Sequence, residues 1–480
     1  MTVQTHSLPA YDRSRLTPGI VHIGLGNFHR AHMAVYLDDL FALGEGLDWA
    51  ILGAGVRAPD ARMRDALKAQ DCLSTVIELD PKGKTARRIG AMLDFIEVQP
   101  DNAALIAAMS RPEIRIVSLT VTEGGYYVDP ATGRFDPAHP EIAADAQTPD
   151  RPATAFGAIL AALKARRAAG LPAFTVMSCD NLPGNGDVTR AAVTGLAQLS
   201  DPALATWIQT HVAFPNGMVD RITPATGPRE RAMARDFGLA EDPVPVTCEP
   251  FRQWVLEDHF PAGRPPLEKV GVTFTPHVHA FEAMKIRILN GGHAIIAYPG
   301  GLMDIEFVHE AMAEPLISGF LDKVEHDEII PIVPPVPGTD LNDYYALIRD
   351  RFSNPEVADT ERRLCLDGSN RQPKFIIPSI QDNLAKGTLP RGLLLESALW
   401  CRYCMGISDS GKVIEPNDPN WDRLQATARR SATEPALWLG MTDVYGDLAQ
   451  RADVVATFAG FLADLGARGT RAVLTDFLKG

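Results

Sequence analysis

Between Gly19 and Ser178 the chain alternates short apolar runs, rich in β-branched residues, with longer segments of helical character. Gly19-Ile-Val-His-Ile-Gly24 reads as a buried strand and Arg30 to Leu43 as its crossover helix. Trp49 to Val56 and Leu73 to Leu79 read as the second and third strands, with a helix from Asp60 to Gln70 between them. Ile114 to Val121 and Ala173 to Ser178 are further strands, separated by the alanine-rich helical stretch Ala153 to Ala169. Strands that alternate with helices run parallel and are joined by right-handed crossovers, which predicts a doubly wound α/β sheet. From about Phe281 onward the apolar spacing is helical almost throughout, with breaks at Pro331 to Gly338, Ser369 to Pro373 and Glu415 to Asn420. A boundary is expected within Val270 to Ala280.

A chain of 480 residues is too long for one ordinary core, which also argues for two domains. Its net charge of −14 argues against nucleic acid or an anionic membrane as partner. Met1 to Ile20 lacks an apolar signal core, and no stretch approaches the roughly 20 apolar residues of a membrane span. The six cysteines are sparse and irregular, as suits a reducing cytoplasm. Cys401 and Cys404 form a C-x-x-C without a second pair or a redox setting, so they read as core residues. His277, His279 and His309-Glu310 miss metal spacing too, since Ala313 stands where H-E-x-x-H needs its second histidine; no metal is expected. The low aromatic content (7%) and the charge lean towards a monomer.

Gly24-Leu-Gly26 closes the first strand and opens the first helix, where glycines let a cofactor pyrophosphate approach backbone N–H groups. His29 stands where the third glycine of G-x-G-x-x-G belongs, between Phe28 and Arg30. The cofactor contacts expected from this turn run from Ile23 through Gly24, Leu25, Gly26, Asn27, Phe28 and His29 to Arg30. Beyond the second strand, Asp60 could hold the ribose hydroxyls of NAD or cap the helix it begins; Arg57 could instead welcome the phosphate of NADP. The expected architecture is a Rossmann-type dinucleotide-binding domain over 1–275 and a mostly α-helical catalytic domain over 276–480.

The run Glu282-Ala-Met-Lys-Ile-Arg-Ile-Leu-Asn-Gly-Gly-His293 sets an amine, a carboxamide and an imidazole on one apolar helix. At about 100° per residue, His293 lies roughly 80° and Asn290 roughly 140° around the axis from Lys285, so all three can line one wall of a cleft. Desolvation favours a neutral lysine, which can act as general base towards an alcohol. The plain alternative is a snorkelling lysine, an asparagine near a kink at Gly291-Gly292 and a satisfied core histidine. No tyrosine has a lysine four residues later, so the Tyr-x-x-x-Lys route of short-chain dehydrogenases is excluded. Glu123 and Glu282 are candidates for a proton path, or simply loop and helix-end carboxylates.

Six segments together resemble the polyol-specific long-chain dehydrogenases: Gly24 to His32, Ser118 to Tyr126, Ser178 to Gly186, Phe214 to Pro224, Glu249 to Trp254 and Lys285 to His293. The resemblance implies a metal-independent, NAD-dependent enzyme, with NADP still open, that interconverts D-mannitol and D-fructose. Related substrates of the family are D-arabinitol, sorbitol or a sugar acid such as fructuronate, the last calling for a cation such as Arg287 or Arg371. It implies Lys285 as the base, Asn181 and Asn290 as holders of the reacting oxygen, and His293 as a positioner of substrate. Asp220, Arg363 and Arg371 would touch the polyol chain, in a cleft between the two domains.

Overall fold

Five short strands build the central sheet of the first half: β1 (Pro18–Ile23), β2 (Ala50–Ala54), β3 (Met92–Phe95), β4 (Ile116–Leu119) and β5 (Thr175–Ser178). They lie in the order β3-β2-β1-β4-β5, and every neighbouring pair is parallel. A computed structural model describes residues 6–129 and 132–480 of the chain. It comprises two units, Met1–His279 and Ala280–Gly480.

The doubly wound sheet explains why its strands read as continuous apolar runs. Both faces are covered, so alternate residues feed two separate cores. Ile20, Ile51, Ile116 and Met177 pack on one face against Met33, Leu37 and Phe41. Val21, Leu52, Val117 and Val176 pack on the other, with Phe156, Ile159 and Leu163. The alanine-rich segment is a helix over Ala155–Ala168, capped by the Thr154 hydroxyl, which accepts from the N–H of Gly157 at 3.0 Å. Strand order reverses between β1 and β4, and ligands of such sheets bind beyond the carboxyl ends of the strands at that reversal.

Three local expectations are corrected. The helix expected over Arg30 to Leu43 is two helices, α1 (Asn27–Ala31) and α2 (Met33–Ala42). They break at His32 (φ −119°, ψ −89°), whose Nε2–H donates to the carbonyl of Gln253 at 2.9 Å. The run Leu73 to Leu79 does form a strand, Ser74–Glu78, but in a separate four-stranded sheet, antiparallel to Thr85–Ile89 and parallel to Val246–Cys248. The third strand of the parallel sheet is β3 instead. In the second unit Ser369 to Pro373 is helical within Gly368–Phe375. Pro373 lies near the end of that helix, and Asp418 fixes its start by accepting from the N–H and hydroxyl of Ser369, each at 2.7 Å.

The second unit is otherwise helical, from Val278–Met284 at its entry to Ala452–Lys479, with non-helical backbone at Gly469. Cys401 and Cys404 are buried in the helix Arg391–Cys404, beside the edge-packed rings of Trp400 and Trp438. Among the described residues no helix is long and apolar enough to cross a membrane.

Candidate active site

In the first unit the candidate cofactor turn leaves β1 at the reversal of strand order. Gly24 has φ +102°, and a Cβ there would lie 2.1 Å from the carbonyl oxygen of Thr120, just past β4. Only glycine satisfies both the conformation and the approach. A Cβ on Gly26 would meet nothing within 4 Å, so the turn is open on that side. The side chains of Ile23, Leu25, His29 and Arg30 are buried, whereas Gly26 is exposed and Asn27 and Phe28 are half-buried. Arg30 spends its guanidinium on the Asn27 side chain (2.8 Å) and the carbonyl of Val244, and burial lowers its pKa to about 10. Asn27 in turn donates to the carbonyl of Pro224 and to Thr226, at 3.0 and 2.9 Å. Leu25, His29 and Arg30 therefore offer only their backbone to a ligand at this turn.

Asp60 is the first residue of α3 (Asp60–Lys68) and its carboxylate accepts from the N–H of Arg57 at 2.9 Å. It thus closes the turn from β2 into α3 and makes no side-chain cap within the helix itself. A Cβ on Gly55 would lie 2.5 Å from Asp60 Oδ2, so glycine there is what lets the carboxylate fold over the end of β2.

Asn181 is exposed in the loop that follows β5, at the same carboxyl edge of the sheet. Its neighbour Asp180 holds that edge together, accepting from the N–H groups of Val121 and Thr122 and from the Tyr126 hydroxyl at 2.6–3.1 Å. Those bonds fix Thr122 at φ +65°, a conformation that a β-branched residue rarely adopts. Glu123 is exposed on the following turn. Asp220 ends the strand Gly217–Asp220, 5% exposed.

In the second unit Lys285–Asn290 is a π-helix that continues directly into the α-helix Gly291–Leu302. The expectation of an uninterrupted α-helical wheel is corrected there. The wider i→i+5 turn changes the angles between Lys285, Asn290 and His293, and π segments recur at functional sites. No sequence signal marked it apart from the Gly291-Gly292 pair at its exit.

The Lys285 side chain is buried, at 6% residue exposure, and Glu282 is buried on the same helical run. Asn290 Oδ1 and His293 Nε2 are buried and have no hydrogen-bond partner among the described residues. The His293 ring stacks on Phe352 with centroids 4.3 Å apart. Burial, followed by the charge of Arg363, lowers its pKa to about 3, so the ring is neutral. Two unspent polar atoms on the helical run that carries a buried lysine can receive a hydroxylated ligand, since buried polar groups are normally hydrogen-bonded.

The arginines differ in availability. Arg363 pairs with Asp359, and Arg371 donates to the carbonyls of Arg363 and Leu364 at 3.3 and 3.1 Å. Arg287 is bound by Ser379 and Asp382, both at 2.8 Å. Among the described residues no three His, Cys, Asp or Glu side chains gather as a metal would require.

Residues 18–269 match the family model described as the mannitol dehydrogenase Rossmann domain, and residues 277–465 match that of the mannitol dehydrogenase C-terminal domain. A mannitol 2-dehydrogenase of Cereibacter sphaeroides is 73% identical over 470 residues, covering 98% of both chains. One from Aspergillus clavatus is 44% identical, covering 92% of this chain and 89% of its own. Among solved structures, the Pseudomonas fluorescens mannitol 2-dehydrogenase ternary complex with NAD and D-mannitol superposes with a TM-score of 0.88 at 44% identity. That match covers 98% of this chain and 96% of the other. A D-sorbitol dehydrogenase in substrate-free form gives 0.90 at 34% identity, covering 98% and 97%.

Proposed function

The chain belongs to the mannitol dehydrogenase family, and from that premise we propose that it interconverts D-mannitol and D-fructose with NAD as hydride carrier. The observation that carries this reading is the segment from Lys285 to His293, where a buried amine is followed by unpartnered polar atoms of Asn290 and His293.

The first unit suits the cofactor. The approach of Gly24 to Thr120 leaves no room for a side chain, while the open side of Gly26 admits a pyrophosphate to the backbone N–H groups of the turn. Asp60 would hold the ribose hydroxyls and disfavour the extra phosphate of NADP. When bound, the nicotinamide takes a hydride from the alcohol carbon or returns it to the ketose.

The second unit supplies the proton chemistry. Desolvation favours the uncharged amine of Lys285, which takes the hydroxyl proton during oxidation and gives it back during reduction. The amide groups of Asn290 and Asn181 donate to the alkoxide as charge develops, each worth about 3 kcal/mol when well aimed. Neutral His293 orients a substrate hydroxyl, and Asp220, Arg363 and Arg371 would bind the rest of the polyol. The scheme asks nothing of a metal. A sugar-acid substrate would need a free cation; Arg287 is already held by Asp382 and Ser379, which leaves Arg371, bonded to backbone carbonyls, as the cation such a substrate would use.

Lys285→Ala tests the mechanism. Oxidation by the wild type should rise with pH and reduction fall over the same range. The variant should lose that ionisation together with about a thousandfold in turnover. Small primary amines should partly restore oxidation, and chelators should leave the wild type unaffected. A variant with near-normal turnover and an unchanged profile would overturn the assignment of Lys285 as the base. A panel of mannitol, sorbitol and arabinitol with NAD and NADP fixes the specificity.

A further inference from the structure

His22 lies in the middle of β1, fully buried, on the sheet face that carries Ile20. Its Nδ1 is 2.8 Å from the Ser118 hydroxyl, and its Nε2 is 3.1 Å from the carbonyl oxygen of Gly24 and 2.9 Å from the Thr120 hydroxyl. The Thr120 hydroxyl itself donates to that same Gly24 oxygen. A ring nitrogen facing a carbonyl must carry hydrogen, so Nε2–H donates towards Gly24 and Nδ1 accepts from Ser118. Burial lowers the imidazole pKa to about 3, against the opposing pull of the Gly24 carbonyl, so the ring is the neutral Nε2–H tautomer.

His29 completes the arrangement. Its ring stacks on that of His22, centroids 3.5 Å apart and planes 17° from parallel. Both His29 nitrogens are buried with no partner among the described residues, so it contributes a flat face and no hydrogen bond. This is the residue that replaces the third glycine of the fingerprint.

The carbonyl of Gly24 and the N–H of Leu25 belong to one peptide, and in a trans peptide they point to opposite sides. Two donors that hold the oxygen inward therefore turn the Leu25 N–H the other way, towards the open side of the turn. Among the described residues none accepts from the N–H of Leu25 or of Gly26. We propose that His22 is a positioning residue for the cofactor: with Thr120 it locks the Gly24–Leu25 peptide so that the Leu25 N–H faces the pyrophosphate, and His29 is the plate that keeps the imidazole in place. This rests on the reading of the turn as an NAD site.

Titration of the full-length chain with NADH, followed by nicotinamide fluorescence, tests it directly. His22→Phe keeps a stacking ring and removes the donor, and its NADH Kd should rise about tenfold. The KM for D-mannitol should move far less than the KM for NAD. Thr120→Val removes the second donor at constant shape and should also weaken NADH. Thermal melting identifies variants that fail to fold; if His22→Phe is one, Thr120→Val carries the test. Folded variants of His22 and Thr120 with wild-type NADH affinity would overturn the proposal. A wild type that does not bind NADH at all would overturn the NAD reading as well.

Discussion

Asp60 has one purpose in the fold and a second that we propose in cofactor choice, and substitution can separate them. Its carboxylate closes the β2–α3 turn on the N–H of Arg57, and its charge would repel the additional phosphate of NADP. Asp60→Asn keeps an acceptor for that N–H and loses the charge, whereas Asp60→Ala loses both. Both variants should therefore gain in relative use of NADP, and only the alanine should cost about 1 kcal/mol of stability. Kinetics with each cofactor and a melting curve read the two effects apart, and an unchanged preference in both would leave Asp60 as a turn residue alone. Single residues were unevenly legible. Gly24 announces itself because a glycine between a strand and a helix has few other reasons to be there. His22 does not, since a histidine in an apolar strand reads as an ordinary core residue. Its partners Ser118 and Thr120 lie almost a hundred positions away and meet it only through the pairing of β1 with β4.

Elements with a strong period were readable, and those that depend on hydrogen-bond geometry were not. The strands β1, β2, β4 and β5 were visible as apolar runs, while β3 lies at the sheet edge, is buried only at Met92 and Phe95 and carries Asp94, so it passes for part of a loop. The strand Ser74–Glu78 was visible too, but nothing in its sequence says which sheet it joins. The π-helix over Lys285–Asn290 differs from an α-helix in its acceptor, not in its composition. Its exit at Gly292 is tightly packed: a Cβ would lie 3.2 Å from Glu325 Oε1 and 3.3 Å from the Phe352 ring that supports His293. Alanine in place of a helical glycine normally gains about 1 kcal/mol. Here it must displace the ring under His293 or the buried carboxyl. Gly292→Ala is thus expected to lower kcat/KM for D-mannitol about tenfold through misplacement of His293. NADH affinity, measured by titration, should stay at the wild-type value. A variant with unaltered kinetics would mean that Phe352 gives way freely.

For the molecule as a whole, four buried carboxyls of the second unit govern how stability responds to pH. Burial raises Glu328 to about 7 and Glu396 to about 8, and pushes Glu325 and Glu361 upward as well. The folded state then keeps protons that the unfolded chain releases near pH 4.5. The stability they contribute is complete below that value and is lost as pH rises through the folded values. Below pH 6.5 the buried histidines His22, His29, His32 and His293, which burial keeps neutral when the unfolded chain would protonate them, act in the opposite direction, so the melting temperature should fall between about pH 6.5 and pH 8. Glu396→Gln should flatten the slope, because one group of this kind contributes about 1.4 kcal/mol per pH unit within its window. Parallel slopes for variant and wild type would show that Glu396 is not among the groups responsible. The arrangement of strands has a consequence for biosynthesis. Every strand of the sheets ends by Phe274, within the unit that closes at His279, so the first unit is complete in sequence before any of the second has been made. At about 5–20 residues per second a ribosome needs roughly 10–40 s to add the 201 residues from 280 to 480. Slow parallel pairing can be finished in that interval, so the nascent chain can present a formed Gly24 turn to NAD while most of the second unit is still unsynthesised.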